Sequence, residues 1–321
     1  VFQKLSSLPH CLFLDSALRH PVLGRYSFVA ADPFDYLECP VEDTDSLGAL
    51  AARLSPWQRE AAAVAGLPPF QGGAAGLVGY DLGRQLERLP TPAIDEFRVP
   101  ALAVGFYDVV VAFDHVEGRA WIVSQGLPEL EPARRRQRAQ QRLDQVREWL
   151  ARKTPGRIGP AQQSSLPPLR LDQLAPQHPV RGPSGLTSNF SEAGYLRAVE
   201  RAIEYIYAGD AFQVNLSQRL LYPACGDSAS LYLRLRERNP APFAGYFDLG
   251  EFQVVSASPE RFLSVRGQAV EARPIKGTRR HTARPEDDML CAEELRQSEK
   301  ERAENVMIVD LLRNDLSRVC Q

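Results

Sequence analysis

Lysine is almost missing from this sequence: four residues in 321, against 34 arginines. Arginine supplies nearly every cation, so ordinary surface solvation does not explain a lysine kept at a particular place. Cysteine is sparse as well. Its five residues (Cys11, Cys39, Cys225, Cys291, Cys320) are odd in number and scattered, with no C-x-x-C pair. That excludes a disulfide framework or a cysteine zinc site and points to reduced thiols in the cytoplasm. The five histidines form no spaced pair, so a histidine metal site is unsupported too. No apolar run approaches a membrane span and no signal peptide opens the chain. A net charge of −2 at pH 7 gives no pull towards nucleic acid or an anionic membrane. The run Arg134-Arg135-Arg136 belongs to a charged helical pattern and reads as a solvated face.

What is present is an ordinary globular composition, 44% hydrophobic and 24% charged, at a length that suggests two domains. Residues 103–113 and 120–124 are strand-like, with hairpin material at 114–119, and 25–30 form another short strand. A charged helix follows over 130–152. Residues 153–188, rich in Pro, Gln, Ser and Gly, read as a linker or long loop. Ser191 is a plausible N-cap for a helix that Gly209 closes. An alternating run over 212–217, a helix around 231–238 and strand-like segments at 252–256, 261–265 and 269–275 complete a mixed fold, with helices packed on largely antiparallel sheets. The glycines of 71–80 follow no clear strand and lack a phosphate-loop lysine, so tight packing between layers is the better reading. The chain opens on Val1 and stops at Gln321 directly after a helical pattern, as a piece of a longer protein would.

One lysine stands out. Lys276 sits in Arg273-Pro274-Ile275-Lys276-Gly277-Thr278, where a strand end meets a glycine turn. Unlike arginine, a lysine shielded from water can shed its proton and act as a nucleophile. Reading Arg266-Gly267-Gln268 as a three-residue hairpin loop sets Val265 opposite Ala269 and Glu260 opposite Pro274. Glu260 and Lys276 then share a face, either as acid and nucleophile or as a cross-strand ion pair. A two-residue loop would put them on opposite faces.

Further on, Glu301 and Glu304 share one face of a helix whose residues 306–309, 311 and 312 are apolar nearly all round, the mark of a buried helix. Two carboxylates opening such a helix suit a divalent cation, or else an exposed first turn that favours the helix dipole.

Three stretches together resemble the chorismate-utilising enzymes: Ser256-Ala257-Ser258-Pro259-Glu260-Arg261-Phe262-Leu263, Pro274-Ile275-Lys276-Gly277-Thr278, and Glu301 to Asp315, which ends Asp310-Leu311-Leu312-Arg313-Asn314-Asp315. Within that family they resemble aminodeoxychorismate synthase component I, of the para-aminobenzoate branch of folate biosynthesis. Gly209-Asp210-Ala211-Phe212-Gln213-Val214-Asn215-Leu216 also fits, and Phe70-Gln71-Gly72-Gly73 and Gly79-Tyr80-Asp81 fit more loosely. The resemblance implies an α+β fold of two facing, largely antiparallel β-sheets with helices packed outside, cut short at the C-terminus. It divides the chain into an N-terminal anthranilate-synthase-like domain (1–152), a linker (153–188) and an incomplete chorismate-binding catalytic domain (189–321).

It further implies a cytoplasmic transferase that converts chorismate and ammonia to 4-amino-4-deoxychorismate. Lys276 would attack the ring, Glu260 would protonate the departing hydroxyl, and ammonia would displace the lysine. Gly277 and Thr278 would touch substrate, and Glu301 and Glu304 would hold Mg2+. Ammonia would come from a glutamine amidotransferase subunit. Residues 1–321 alone, with half the metal shell, are expected to be inactive. An amino-acid effector site, for tryptophan, is implied at Asp15, Ser16, Arg25, Tyr26, Ser27, Pro240 and Phe243. Anthranilate synthase component I, which carries alanine at the Lys276 position, is the nearest rival. A non-catalytic module that only docks the amidotransferase is another.

Overall fold

The computed structural model describes residues 1–19, 23–57, 63–152, 171–224, 226–276, 293–295 and 297–321. The chain begins α1 (Phe2–Leu5), β1 (Leu12–Asp15), β2 (Tyr26–Ala30), β3 (Asp35–Cys39), α2 (Ser46–Leu54) and β4 (Gly73–Val78). It continues with β5 (Leu102–Tyr107), β6 (Val109–Asp114), β7 (Arg119–Ser124) and α3 (Pro132–Ala151). Next come β8 (His178–Pro179), β9 (Thr187–Ser188), α4 (Glu192–Ala208), β10 (Leu220–Leu221) and α5 (Ser228–Arg238). The last elements are β11 (Phe243–Asp248), β12 (Gln253–Ser258), β13 (Ser264–Arg266), β14 (Ala269–Glu271) and α6 (Glu299–Ser317).

The apolar run over 103–113 is broken once, and the break builds the molecule. Asp108 separates β5 from β6, which enter different sheets: β12-β11-β1-β2-β6-β7 and β3-β5-β4, both antiparallel throughout. Alternation then assigns each residue a layer. Ala103 and Tyr107 face Leu12, Ala30, Val110 and Phe247 between the sheets. Leu102, Val104 and Phe106 face outward, with Leu50, Leu54 and Trp57 packed against them. Val109 and Val111 pack under α1, α3 and α5 through Phe2, Trp149 and Tyr232. The expected α+β fold of facing antiparallel sheets with helices outside is therefore what forms.

Local signals start the helices as expected. The Glu131 side chain accepts from the backbone N–H groups of Ala133 and Arg134 to open α3. Ser191 caps α4, and Gly209, at φ 81°, closes it in the left-handed conformation that glycine tolerates. The 71–80 glycines fall largely in β4, and their close approach is to the neighbouring strand of one sheet and not between layers. β4 lies against β5 so closely that a Cβ on Gly76 would meet the Ala103 carbonyl at 2.0 Å.

Four further expectations need correction. The loop between β13 and β14 has two residues, Gly267-Gln268, so Val265 pairs with Val270 and not with Ala269. Gly267, at φ 59°, supplies the left-handed residue that such a tight turn requires. No strand forms over 212–217, where the alternating pattern finds no partner strand and Phe212 lies exposed. The strand expected over 269–275 ends at Glu271. Finally, α6 buries no residue, and Val306, Met307 and Leu311 are exposed. Apolar composition there marks a helix that can be covered, and nothing among the described residues covers it. The 153–188 segment lies partly outside the described residues, and the six-stranded sheet takes strands from both sides of it.

Candidate active site

Lys276 follows β14 on an irregular segment and is half-buried. It lines a cavity of about 330 Å³ together with Pro274, Ile275, Leu295, Glu301, Arg302 and Asn305. Among the described residues it makes no ion pair. The opposite wall is the first turns of α6, opened by the Ser298 hydroxyl, which accepts from the Glu301 N–H at 3.4 Å. Glu301, Arg302 and Asn305 reach the cavity because positions i, i+1 and i+4 lie along one side of a helix.

Glu260 sits elsewhere. It is exposed, follows β12, and its Oε1 accepts from the backbone N–H of Ile275 at 3.1 Å. This agrees with the corrected register, in which Glu260 lies opposite Ile275, so the argument that put Glu260 and Lys276 on one face does not hold. The carboxylate is anchored one residue before the lysine and is not among the residues that line its cavity. Neighbouring Arg261 binds Glu271 of β14 and lies 5.7 Å over the Phe243 ring, tying this hairpin to β11.

Glu304 is half-buried but does not line the Lys276 cavity. Among the described residues no group of three or more His, Cys, Asp or Glu clusters as a metal site would. Glu301 and Glu304, at i and i+3, supply two carboxylates, which matches the small protein share of the shell that magnesium keeps. Gly277 and Thr278 lie outside the described residues.

A second polar cluster closes one end of the six-stranded sheet. Both Asp15 oxygens are engaged. Tyr232 OH donates to Oδ2 at 2.9 Å, Arg236 Nε donates to Oδ2 at 2.6 Å, and Ser27 Oγ donates to Oδ1 at 3.1 Å. Ser27 also accepts from the Ser16 N–H, and His115 Nε2 lies 2.7 Å from its hydroxyl oxygen. Since the one Ser27 proton goes to Asp15, His115 must donate from Nε2. Ser16 Oγ donates to the Tyr26 carbonyl at 2.6 Å and reaches the Pro242 carbonyl at 3.4 Å. Arg25 pairs with Asp114 at 2.7 Å and lies 4.9 Å over the Tyr26 ring. Hydrogen bonding from Arg25 holds the Asp114 carboxyl below the usual carboxylate range, and burial pushes the Tyr232 phenol up.

The structure thus brings Asp15, Ser16 and Ser27 together, with Arg25 and Tyr26 beside them, while Pro240 is exposed. Sequence reasoning missed Tyr232, Arg236 and His115. The first two stand four apart on α5, a spacing that could have flagged a polar stripe on an otherwise packed helix.

The chain belongs to the chorismate binding enzymes, whose family model matches residues 25–321. It is 41% identical over 280 residues to anthranilate synthase component 1 of Thermus thermophilus, covering 87% of this chain and 54% of that one. It is 32% identical over 336 residues to aminodeoxychorismate synthase component 1 of Escherichia coli, covering 99% and 65%. Among solved structures, anthranilate synthase component I from Streptococcus pneumoniae aligns with a TM-score of 0.70 at 26% identity, covering 94% of this chain and 63% of that one. The chain spans between about half and two thirds of the relatives it matches. No helix among the described residues is long and apolar enough to cross a membrane.

Proposed function

We propose that this chain carries the catalytic lysine of a synthase component that aminates chorismate to 4-amino-4-deoxychorismate. The observation that supports this is the Lys276 amine, half-buried and without an ion pair among the described residues, lining one cavity with Glu301. The Lys276 nitrogen forms a bond to a ring carbon while the ring C–O bond breaks. The hydroxyl leaves as water, and Glu260, anchored at Ile275 outside the cavity in this structure, would have to turn in to supply the proton. Ammonia, delivered by a glutamine amidotransferase subunit, then displaces the lysine and regenerates its amine. Glu301 and Glu304 would hold Mg2+, which neutralises the substrate carboxylate when bound. Gly277 and Thr278 would contact substrate.

A second reading, formation of anthranilate, is favoured by the 41% and 39% identities to proteins named anthranilate synthase component 1. Intact mass of the full-length protein with chorismate and magnesium, without ammonia, separates the two. A gain of chorismate less water, lost in Lys276→Ala, supports amination through the lysine. Turnover to anthranilate with ammonia and no adduct supports the second reading. No chorismate binding at all leaves a partner-docking module.

An amino-acid effector such as tryptophan would have to displace Arg236 from Asp15, because both carboxylate oxygens are already engaged. Calorimetric titration with tryptophan tests this, and the closed cluster leads us to expect no heat.

A further inference from the structure

We propose that Asn305 is a positioning residue of the Lys276 cavity, its side-chain carbonyl accepting an N–H of the lysine amine and so fixing where the nitrogen lone pair points. This rests on the reading of Lys276 as nucleophile and assigns that amine its partner.

The starting observation is an orphan. Asn305 Oδ1 is shut from solvent and has no hydrogen-bond partner among the described residues. Buried polar atoms in native proteins are nearly always bonded, and a lone acceptor costs stability, so an exception asks for a role. Across the cavity, half-buried Lys276 has no acceptor among the described residues. The other cation lining the cavity, Arg302, is exposed and solvated by water, whereas Lys276 is half-buried. Lys276 is therefore the donor that the Asn305 carbonyl fits.

The chemistry of the acceptor matters. A carboxylate at position 305 would favour the ammonium form of a neighbouring lysine, whereas a neutral amide accepts an N–H without adding charge. The bond is not made in this structure. Hydrogen bonds of this kind often close only when substrate is bound.

The test uses the full-length protein and two variants. Asn305→Leu removes the acceptor, and Asn305→Gln keeps a neutral one. The readouts are the rate of lysine-adduct formation with chorismate and magnesium at saturating and subsaturating chorismate, and the melting temperature. Asn305→Leu is expected to slow adduct formation by about 100-fold, the scale of misplacing one reacting group. Chorismate half-saturation should stay unchanged and the melting temperature should hold or rise. Asn305→Gln should lose less. Adduct formation in Asn305→Leu at the wild-type rate overturns the role while leaving the lysine chemistry intact. A lower melting temperature in both variants with equal losses overturns it in favour of a structural role. No adduct in the wild type overturns the amination reading and this role with it.

Discussion

Two regions of this molecule are held together in different ways. In the layered body, from α1 to α3 with α5, β11 and β12, alternation fills the sheet interfaces, and every buried apolar side chain among the described residues lies there. In the region that carries Lys276, Glu301 and Asn305, α4 and α6 bury nothing, although each has a capped start and apolar residues enough for a buried face. Caps and propensity define a helix locally, but burial needs a second surface. The site residues therefore sit where packing is thinnest. That suits groups that must meet a substrate, since local opening concentrates where few apolar contacts hold the chain.

The largest test of this contrast is Phe106→Ala. Phe106 is fully buried, with the Trp57 ring at 5.6 Å and the Phe34 ring at 6.3 Å. Urea unfolding should show a loss of about 3–5 kcal/mol. Arg142→Leu should come close behind. Arg142 Nε donates to the fully buried Asp108 at 3.1 Å and its Nη1 donates to Asp32 at 2.7 Å, spanning the point where β5 passes into β6. Burial pushes the Asp108 carboxyl up and the two arginines beside it pull it back. Without Arg142, only Arg138 Nε, at 3.4 Å, compensates that charge, and stability should fall by about 3 kcal/mol.

The same contrast explains what could be read in the sequence. Helices α3, α4 and α5 were legible because cap residues and periodicity both lie within a few residues of each other. The facing sheets were legible as a class. Their crossover was not, because Asp108 looks like a polar interruption in one strand until the burial of both flanks is known. The β13–β14 register turned on whether Arg266 belongs to the strand or the loop, and a glycine in the turn allows either. For α6, composition reports what a helix could bury, not what lies against it. The Lys276 segment stood out because arginine replaces lysine nearly everywhere else. Asn305 did not, since a single asparagine in the second turn of a helix carries no signal until its carbonyl is seen buried and unpartnered.

A smaller effect is expected where the contrast predicts near silence. Val306 on α6 is 59% exposed. Val306→Ala should shift unfolding of residues 1–321 by no more than about 0.5 kcal/mol, the scale for surface changes away from special features. A loss as large as that of Phe106→Ala would mean that α6 is covered in solution, and the two regions would then differ far less than they do here.

The finest test lies at the seam where α5 and β11 meet β1 and β2. Burial lowers the His115 pKa, with Arg19 and Arg236 acting in the same direction and Asp15 and Asp114 opposing. The folded protein therefore holds His115 neutral, donating from Nε2 to Ser27, while the unfolded chain takes up a proton near the ordinary imidazole value of about 6.5. The unfolded state binds more protons between the two values, so the stability from this residue is present above the unfolded value and falls as pH drops towards the folded one. His115→Gln can keep an N–H donor at the same place without a titrating group. Urea titrations from pH 7.5 to 5 should show a shallower loss of stability in the variant than in the wild type. Parallel curves would mean that His115 protonates as readily folded as unfolded, and that the seam is wetter than the layers it joins.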